Sequence, residues 1–233
     1  MAPTHKVTVA LDFANLADAK TLVSQLNPEY CNVKVGKELF TATGPVFIEY
    51  LHNKNFKVFL DLKFHDIPTT VKKACEAASQ LGVWMLNVHA SGGSNMLEAA
   101  LEGTSKAKQP ALLIAVTVLT SMDQKTLEEI GVSGNLEDQV LRLAKLTERS
   151  GLQGIVCSSK DLGFLKDQFN PSFLFVTPGI RMADDVANDQ VRTMTPVEAI
   201  KAGSSHLVIG RPITQSKDPS KTLEKIYLEI NQG

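Results

Sequence analysis

The sequence lacks any long apolar run, since charged residues interrupt its 43% hydrophobic content before the roughly 20 residues that a membrane-spanning helix needs. Its start, MAPTHKVTVALDF, lacks the layout of a signal peptide. The sequence also lacks an excess of positive or negative charge, since it has 24 Lys and Arg and 25 Asp and Glu. We therefore expect a cytoplasmic protein with neither nucleic acid nor membrane as a partner.

Cysteine is scarce, and the three cysteines, Cys31, Cys75 and Cys157, are far apart and mostly in apolar surroundings. Their odd number favours reduced, buried thiols over a disulfide framework. The five histidines show no HxH or HExxH spacing, so we expect no metal site. GxGxxG, GxxxxGK[ST] and GxSxG are absent too, which removes the usual signs of dinucleotide binding, P-loop chemistry and serine hydrolysis.

Short β-branched runs alternate with amphipathic segments along the whole chain. Several of these segments end at a glycine (Gly82, Gly151 and Gly203) that fits a helix C-cap. Eight strand–helix units without a flexible linker predict an α/β fold, a single (β/α)₈ TIM barrel over residues 1–233; a doubly wound sheet is the alternative. The predicted strands are residues 7–13, 32–37, 57–63, 85–90, 111–119, 154–159, 173–179 and 206–210, and the clearest predicted helices are residues 15–26, 68–82, 94–107, 135–150 and 195–202.

Side-chain alternation in the first three strands predicts which residues face the barrel interior. The opposite face ends in Asp12, in Lys34, and in Asp61 with Lys63. These four charged side chains would lie at the carboxyl ends of their strands, where barrel enzymes have their active sites. The other face is apolar and would pack under the helices: Val7, Val9, Leu11, Val33, Val35, Val58, Leu60 and Leu62.

The segment DLKFHDIPTT, residues 61–70, has two interpretations: a salt-bridge network at a strand end, or a site for chemistry. Lys34 and Asp12 at the same depth favour chemistry, because alternating carboxylates would hold each lysine protonated. Such a lysine is a poor nucleophile but a good proton donor and carbanion stabiliser. Asp66 follows in the loop, from which it can turn back toward these charges.

A second constellation, TPGIR with IGRP, lies at the predicted ends of the seventh and eighth strands. Glycine N–H groups together with Arg181 and Arg211 suit a phosphate dianion, which barrels frequently bind at these loops; alternatively, Gly179 and Gly210 only form tight turns. The long polar loop of residues 180–194 is either a lid over a phosphorylated ligand or a solvated connection.

The segment VLTSMD places Thr120 and Ser121 at the end of the fifth strand, facing the same mouth. Their hydroxyl groups either contact a ligand or satisfy backbone groups of the loop. The residues alone leave these two interpretations open.

The motifs VALDF, KVG, DLKFHDIPTT, VTVLTS, TPGIR and VIGRPI fall in the order and spacing of the bacterial orotidine 5′-phosphate decarboxylase family, which the chain resembles from about residue 7 to residue 220. DLKFHDIP is the most specific of these motifs. The wider group, with 3-keto-L-gulonate 6-phosphate decarboxylase and hexulose phosphate synthase, shares only DxKxxD. The resemblance implies cofactor-free decarboxylation of orotidine 5′-phosphate to uridine 5′-phosphate, the last step of UMP biosynthesis, by a homodimer with shared active sites.

Carried over residue by residue, the resemblance assigns roles to the charged side chains. Lys63 would protonate the pyrimidine carbon that carbon dioxide leaves, and Asp61 would sit against the substrate carboxylate. Lys34 would complete the charge row and contact the ribose, and Asp12 would bind a ribose hydroxyl. Asp66 would reach into the active site of the partner subunit. The other substrate contacts that the resemblance implies are Ile67, Thr70 (also from the partner), Thr120, Ser121, Pro178, and the phosphate ligands Arg181, Gln190, Gly210 and Arg211.

Two features depart from the family's pattern. Thr69 stands where the family often has Asn, and the segment RMADDVAND lacks the expected Pro and Gly while adding Asp184 and Asp185 near a phosphate. These departures concern the turn and the shape of the lid, and not the reaction.

Two rival hypotheses stay in view: a metal-dependent sugar-phosphate decarboxylase or aldolase, and a non-catalytic barrel that binds phosphorylated ligands. The four-residue array of charges argues against the second, because pure binding does not need it.

Overall fold

The computed structural model describes residues 5–182 and 194–232. Eight parallel strands form a closed barrel in which each strand pairs with the next and the last pairs with the first. This confirms the predicted (β/α)₈ fold, although most strands end earlier than predicted because the chain turns into the loops of the barrel mouth. The strands are β1 (Val7–Ala10), β2 (Asn32–Gly36), β3 (Val58–Phe64), β4 (Met85–His89), β5 (Leu112–Val116), β6 (Gly154–Val156), β7 (Leu174–Thr177) and β8 (His206–Ile209).

Helices follow the strands and surround the barrel. The backbone of Gly82, Gly151 and Gly203 has φ values of 78°, 82° and 113° at the ends of three helices, which confirms the predicted glycine caps. The helices are α1 (Leu16–Val23), α2 (Lys37–Thr43), α3 (Pro45–Asn53), α4 (Pro68–Gln80), α5 (Gly93–Thr104), α6 (Gln124–Glu129), α7 (Leu136–Arg149), α8 (Leu162–Leu165), α9 (Pro196–Ala202), α10 (Arg211–Thr214) and α11 (Pro219–Gln232).

Apolar side chains fill two separate layers. The layer between barrel and helices contains the predicted apolar face of β1 to β3, with Leu62 only partly buried. The layer inside the barrel consists of Ala10, Phe59, Met85, Ile114, Val176 and Val208. Phe59 precedes Asp61 by two positions on the same strand face, so the inner layer forms an apolar floor beneath the charged residues.

The cysteines also match the prediction, since Cys31, Cys75 and Cys157 are all buried and unpaired. Burial raises the pKa of the Cys75 thiol to about 12, so this group stays protonated at neutral pH. Across the described residues, none of the helices combines the length and the apolar character that crossing a lipid bilayer requires.

Candidate active site

A cavity of about 490 Å³ opens at the carboxyl ends of the strands. Its wall combines residues from the first three strands with residues from the loops after β5, β7 and β8. It therefore brings together most of the site predicted from the sequence. The predicted residues that line it are Asp12, Lys34, Asp61, Lys63, Thr120, Pro178, Arg181, Gly210 and Arg211.

Four charged side chains form a row along one wall, which we call the charge array (Asp12, Lys34, Asp61 and Lys63). Lys34 Nζ lies 2.9 Å from Asp12 Oδ1 and 3.4 Å from Asp61 Oδ2. Lys63 Nζ lies 2.6 Å from Asp61 Oδ1. The two central side chains are buried, whereas those of Asp12 and Lys63 are 64% and 27% exposed. The array therefore alternates in sign and presents its terminal ammonium to the cavity.

The charges of the array keep its buried members ionised. Burial alone would lower the pKa of Lys34, but Asp61 and Asp12 outweigh burial and raise the pKa above its ordinary value. Burial alone would raise the pKa of Asp61, but Lys34, Lys63 and a hydrogen bond from Asn87 bring the pKa below its ordinary value. A carboxylate and an ammonium group are thus held side by side at neutral pH.

Strand β3 is irregular where it carries the array. Leu60 pairs with Leu86 of β4, but Phe64 pairs with Val88, so three residues of β3 stand opposite the single residue Asn87. An irregularity of this kind bends a strand and redirects its side chains. The local shape of β3 therefore decides where Asp61 and Lys63 point.

Asn87 lies inside this irregularity and is fully buried. Its side-chain Oδ1 accepts a hydrogen bond from the backbone N–H of Lys63 at 2.8 Å. Its Nδ2 donates to Asp61 Oδ1 at 2.7 Å. Lys63 itself has φ 52°, a left-handed conformation that residues other than glycine rarely adopt. Asn87 was not predicted from the sequence, where its only signal is a lone amide in the apolar strand MLNVH.

Gly36 explains the glycine of the KVG motif. A Cβ atom at this position would lie 3.2 Å from Lys34 Nζ and 3.6 Å from Asp12 Oδ1. Its φ of −90° suits any residue, so space and not backbone conformation favours glycine here. The missing side chain leaves room for the ammonium group beside Asp12.

The other wall of the cavity is built by the loops after β7 and β8. Arg181 and Arg211 are half-buried there beside Gly179, whose φ is 79°. Gln215, which the sequence analysis missed, also lines this wall. Two guanidinium groups and a glycine turn on one wall can receive an anion.

The predicted lid begins and ends at a common base. Ile180 and Met194 form a parallel bridge, and the backbone N–H of Arg181 donates to the carbonyl of Met194 at 3.1 Å. Gln190, Asp184 and Asp185, like the rest of residues 183–193, lie outside the described residues. Their predicted roles therefore stay predictions.

Some predicted residues lie away from the cavity of their own chain. Residues 65–70 are all exposed, including Asp66, Ile67 and Thr70. The carboxylate of Asp66 accepts a hydrogen bond from the N–H of Ile67 at 2.6 Å, so it does not turn back toward the array. Ser121 is exposed in a turn after β5 and does not line the cavity, whereas its neighbour Thr120 does.

His89, at the end of β4, is a further residue that the sequence analysis passed over. Its ring centre lies 5.5 Å from that of His65. Burial, followed by the charges of His65, Lys37 and Lys63, lowers the pKa of His89. A second histidine therefore borders the cationic end of the array. In the part of the chain that the structure describes, no three His, Cys, Asp or Glu side chains converge as a metal site.

A closed parallel barrel with a partly buried row of alternating charges at its carboxyl-end mouth defines the class of protein, a (β/α)₈-barrel enzyme. The chain belongs to the orotidine 5′-phosphate decarboxylase / HUMPS family, whose sequence profile matches residues 5–226.

Relatives and solved structures agree with this family. Orotidine 5′-phosphate decarboxylase of Vibrio campbellii is 54% identical over 223 residues, which cover 95% of this chain and 96% of the relative. The enzyme of the same name from Aliivibrio fischeri is 54% identical over 227 residues, 97% of each chain. The crystal structure of orotidine 5′-phosphate decarboxylase from Lactobacillus acidophilus superposes with a TM-score of 0.88 at 39% identity, covering 97% of this chain and 99% of that one. The protein is accordingly a carboxy-lyase.

Proposed function

We propose that this carboxy-lyase converts orotidine 5′-phosphate to uridine 5′-phosphate, the last step of UMP biosynthesis, without a metal or organic cofactor. The charge array is the observation that carries the proposal, because it presents a fixed ammonium group to a cavity at the carboxyl ends of the strands. The names of relatives that are 54% identical support the substrate.

The chemistry requires electrostatic stabilisation of a carbanion. When the bond from the ring to the carboxylate breaks, carbon dioxide leaves and the electron pair stays on the pyrimidine carbon. Lys63 stabilises this charge and then transfers its proton to the carbon, and the resulting amine regains a proton from water. Asp61, held ionised by its lysine neighbours, lies beside the substrate carboxylate and disfavours the ground state.

The rest of the substrate spans the cavity, whose volume of about 490 Å³ falls in the usual range for small-molecule sites. Asp12 and Lys34 bind the ribose, and Arg181 with Arg211 bind the phosphate. Phosphate binding is remote from the reacting carbon, so its binding energy serves to hold the ring in register. The remaining proposed contacts are Thr120, Pro178, Gly210, Gln190 and Ser121, of which Ser121 does not line the cavity directly.

We also propose that the enzyme is a homodimer in which each cavity is completed by the partner subunit. Three observations support this: residues 65–70 directly follow the strand of the array, all six are exposed in the single chain, and they include Ile67, an apolar residue that is 64% exposed. Contact with a second chain would remove this apolar side chain from water, which is favourable in free energy. Asp66, Ile67 and Thr70 would then reach the partner's cavity.

Replacement of Lys63 tests the proposed reaction. For Lys63→Ala we expect the turnover number to fall by about 10⁴-fold or more, because one change removes both the proton donor and the stabilising charge. The measurement is the decrease in ultraviolet absorbance of orotidine 5′-phosphate. Lys54→Ala, which removes an exposed lysine at the opposite end of the barrel, serves as the matched control. A Lys63→Ala enzyme that is folded and close to native in activity would contradict the proposed mechanism.

The same assay separates the rival functions. A metal-dependent decarboxylase or aldolase would lose activity with a chelator, and a binding protein would leave the absorbance unchanged. We expect the native protein to decarboxylate the nucleotide equally well with and without chelator.

Mixing two inactive variants tests the shared site. If Asp66 acts in the partner's cavity, a hybrid of Lys63→Ala and Asp66→Ala subunits has one cavity with both defects and one intact cavity. Random exchange makes half of the dimers hybrids, so we expect about a quarter of the native activity. Subunit exchange is checked by mass spectrometry of the intact dimers. Mixtures that exchange completely and stay inactive contradict the shared site.

A further inference from the structure

We infer that Asn87 is a positioning residue, whose buried amide holds Lys63 and Asp61 in the arrangement that the reaction needs. The consequence for catalysis rests on the proposed function. The positioning itself rests on the geometry of β3 and β4, and it can be tested without turnover.

The two hydrogen bonds of Asn87 act on different parts of the array. Through Oδ1 it accepts the backbone N–H of Lys63, at the point where β3 departs from regular pairing with β4. This bond holds a backbone that has φ 52°, which a lysine does not adopt without support from its surroundings. Asn87 thus fixes the position from which the lysine side chain starts.

Through Nδ2, Asn87 sets the orientation of the Asp61 carboxylate. Oδ1 of Asp61 accepts hydrogen bonds from both Asn87 Nδ2, at 2.7 Å, and Lys63 Nζ, at 2.6 Å. Oδ2 of the same carboxylate faces Lys34 Nζ at 3.4 Å. Asn87 therefore keeps the plane of the carboxylate turned so that each oxygen meets one lysine.

An uncharged amide is the side chain of this size that can do both tasks. It carries an acceptor oxygen for the lysine N–H and an N–H donor for the carboxylate. Leucine offers neither group, and an ionised aspartate only accepts. An ionised aspartate would also stand next to Asp61 as a like charge.

For Asn87→Ala we expect kcat for orotidine 5′-phosphate to fall about 10²-fold, the usual effect of misplacing a catalytic group by about 1 Å. The KM should stay within about threefold of native, since the groups proposed for ribose and phosphate binding do not contact Asn87. The matched control is Asn32→Ala. Asn32 is equally buried, lies at the start of β2 on the other side of β3, and donates to the carbonyl of His5 at the far end of the barrel. Its loss should leave kcat native.

Asn87→Asp gives a pH profile that a merely structural role would not produce. The introduced carboxylate would face Asp61. The other charged neighbours of Asp61 are Lys63 and Lys34, and His89 lies two residues after position 87 in β4. Two adjacent carboxylates do not both ionise readily, so the introduced group takes up a proton at acid pH and then donates to Asp61 as the amide does. We expect kcat of this variant to be highest at acid pH and to fall as the pH rises, relative to the native profile.

Hydrogen exchange of the Lys63 amide, measured by NMR on the full chain, tests the positioning apart from turnover. We expect exchange to be at least about 10-fold faster in Asn87→Ala than in the native protein and unchanged in Asn32→Ala. If the native protein lacks decarboxylase activity but exchange depends on Asn87 in this way, the proposed function fails and the positioning stands. Native exchange and native kcat in folded Asn87→Ala overturn the inference. If the alanine variant does not fold, an Asn87→Asp enzyme with the native pH profile overturns it.

Discussion

At the scale of single residues, several histidines are held neutral by burial. Burial lowers the pKa of His5, His52, His89 and His206 below the ordinary value of 6.5. His206 is the most buried of the four, at 5% exposed. Its Nδ1 donates to the carbonyl of His5 at 3.1 Å, and its ring meets that of Trp84 edge-on at 5.0 Å between centres. The hydrogen bond alone would raise the pKa of His206, but burial outweighs it and favours the uncharged imidazole.

The depressed pKa of His206 predicts the direction in which stability depends on pH. Above 6.5 the residue is neutral in both folded and unfolded chains, so its contribution is complete. As the pH falls below 6.5, the unfolded chain binds a proton that the folded chain does not, and stability is lost until the folded pKa is reached. Urea unfolding from about pH 8 to about pH 5 should therefore show a smaller stability gap between the native protein and His206→Gln at the acid end. A gap that is constant across this range would refute the assignment.

At the scale of elements, α4 and α5 are in close contact at Gly103. Gly103 of α5 lies against the backbone carbonyl of Lys72 in α4, where a Cβ atom would collide. Lys72 also forms an ion pair with Glu102 across the same contact. The absence of a side chain at Gly103 thus sets how near the two helices come.

For Gly103→Ala we expect a loss of about 1–3 kcal/mol in the free energy of unfolding, because the backbone of α4 must move. Gly163→Ala in α8 is the matched control, since no atom outside its immediate chain neighbours and its own helix backbone lies within 4 Å of the added Cβ. Its stability should rise by about 0.4–1 kcal/mol through the lower entropy of the unfolded chain. Urea midpoints of the two variants and the native protein give the comparison. Equal midpoints for both variants would be inconsistent with close packing of α4 and α5.

Strand β3 marks the limit of what the sequence could predict about an element. Alternation along the strand correctly predicted that Asp61 and Lys63 line the cavity, because that pattern is local. The irregular pairing and the left-handed backbone at Lys63 were not predictable, since they depend on Asn87, which is 24 residues away in another strand. A single asparagine among apolar residues carries no local sign of its partner.

At the scale of the whole molecule, the barrel was predictable because strand–helix alternation repeats eight times and needs no knowledge of long-range contacts. The position of the charge array at the mouth of the barrel was also predictable, because barrel enzymes have their active sites at the carboxyl ends of the strands. Gln215 was not predicted, because nothing in the local sequence shows that the chain after β8 brings this glutamine, at the end of α10, to the cavity. The exposure of residues 65–70 was not predictable either, because it concerns a surface and not a sequence pattern.

The barrel closes by the pairing of β8 with β1, the two strands farthest apart along the chain. The charge array comes from β1 to β3 and their ends, whereas both arginines follow β7 and β8. During folding, the cavity therefore exists only after the first and last parts of the chain have met. A ligand that contacts both walls favours the closed barrel over every partly folded form, by an amount that grows with its concentration. Ligand binding would in this way report that the chain has completed its longest-range folding step.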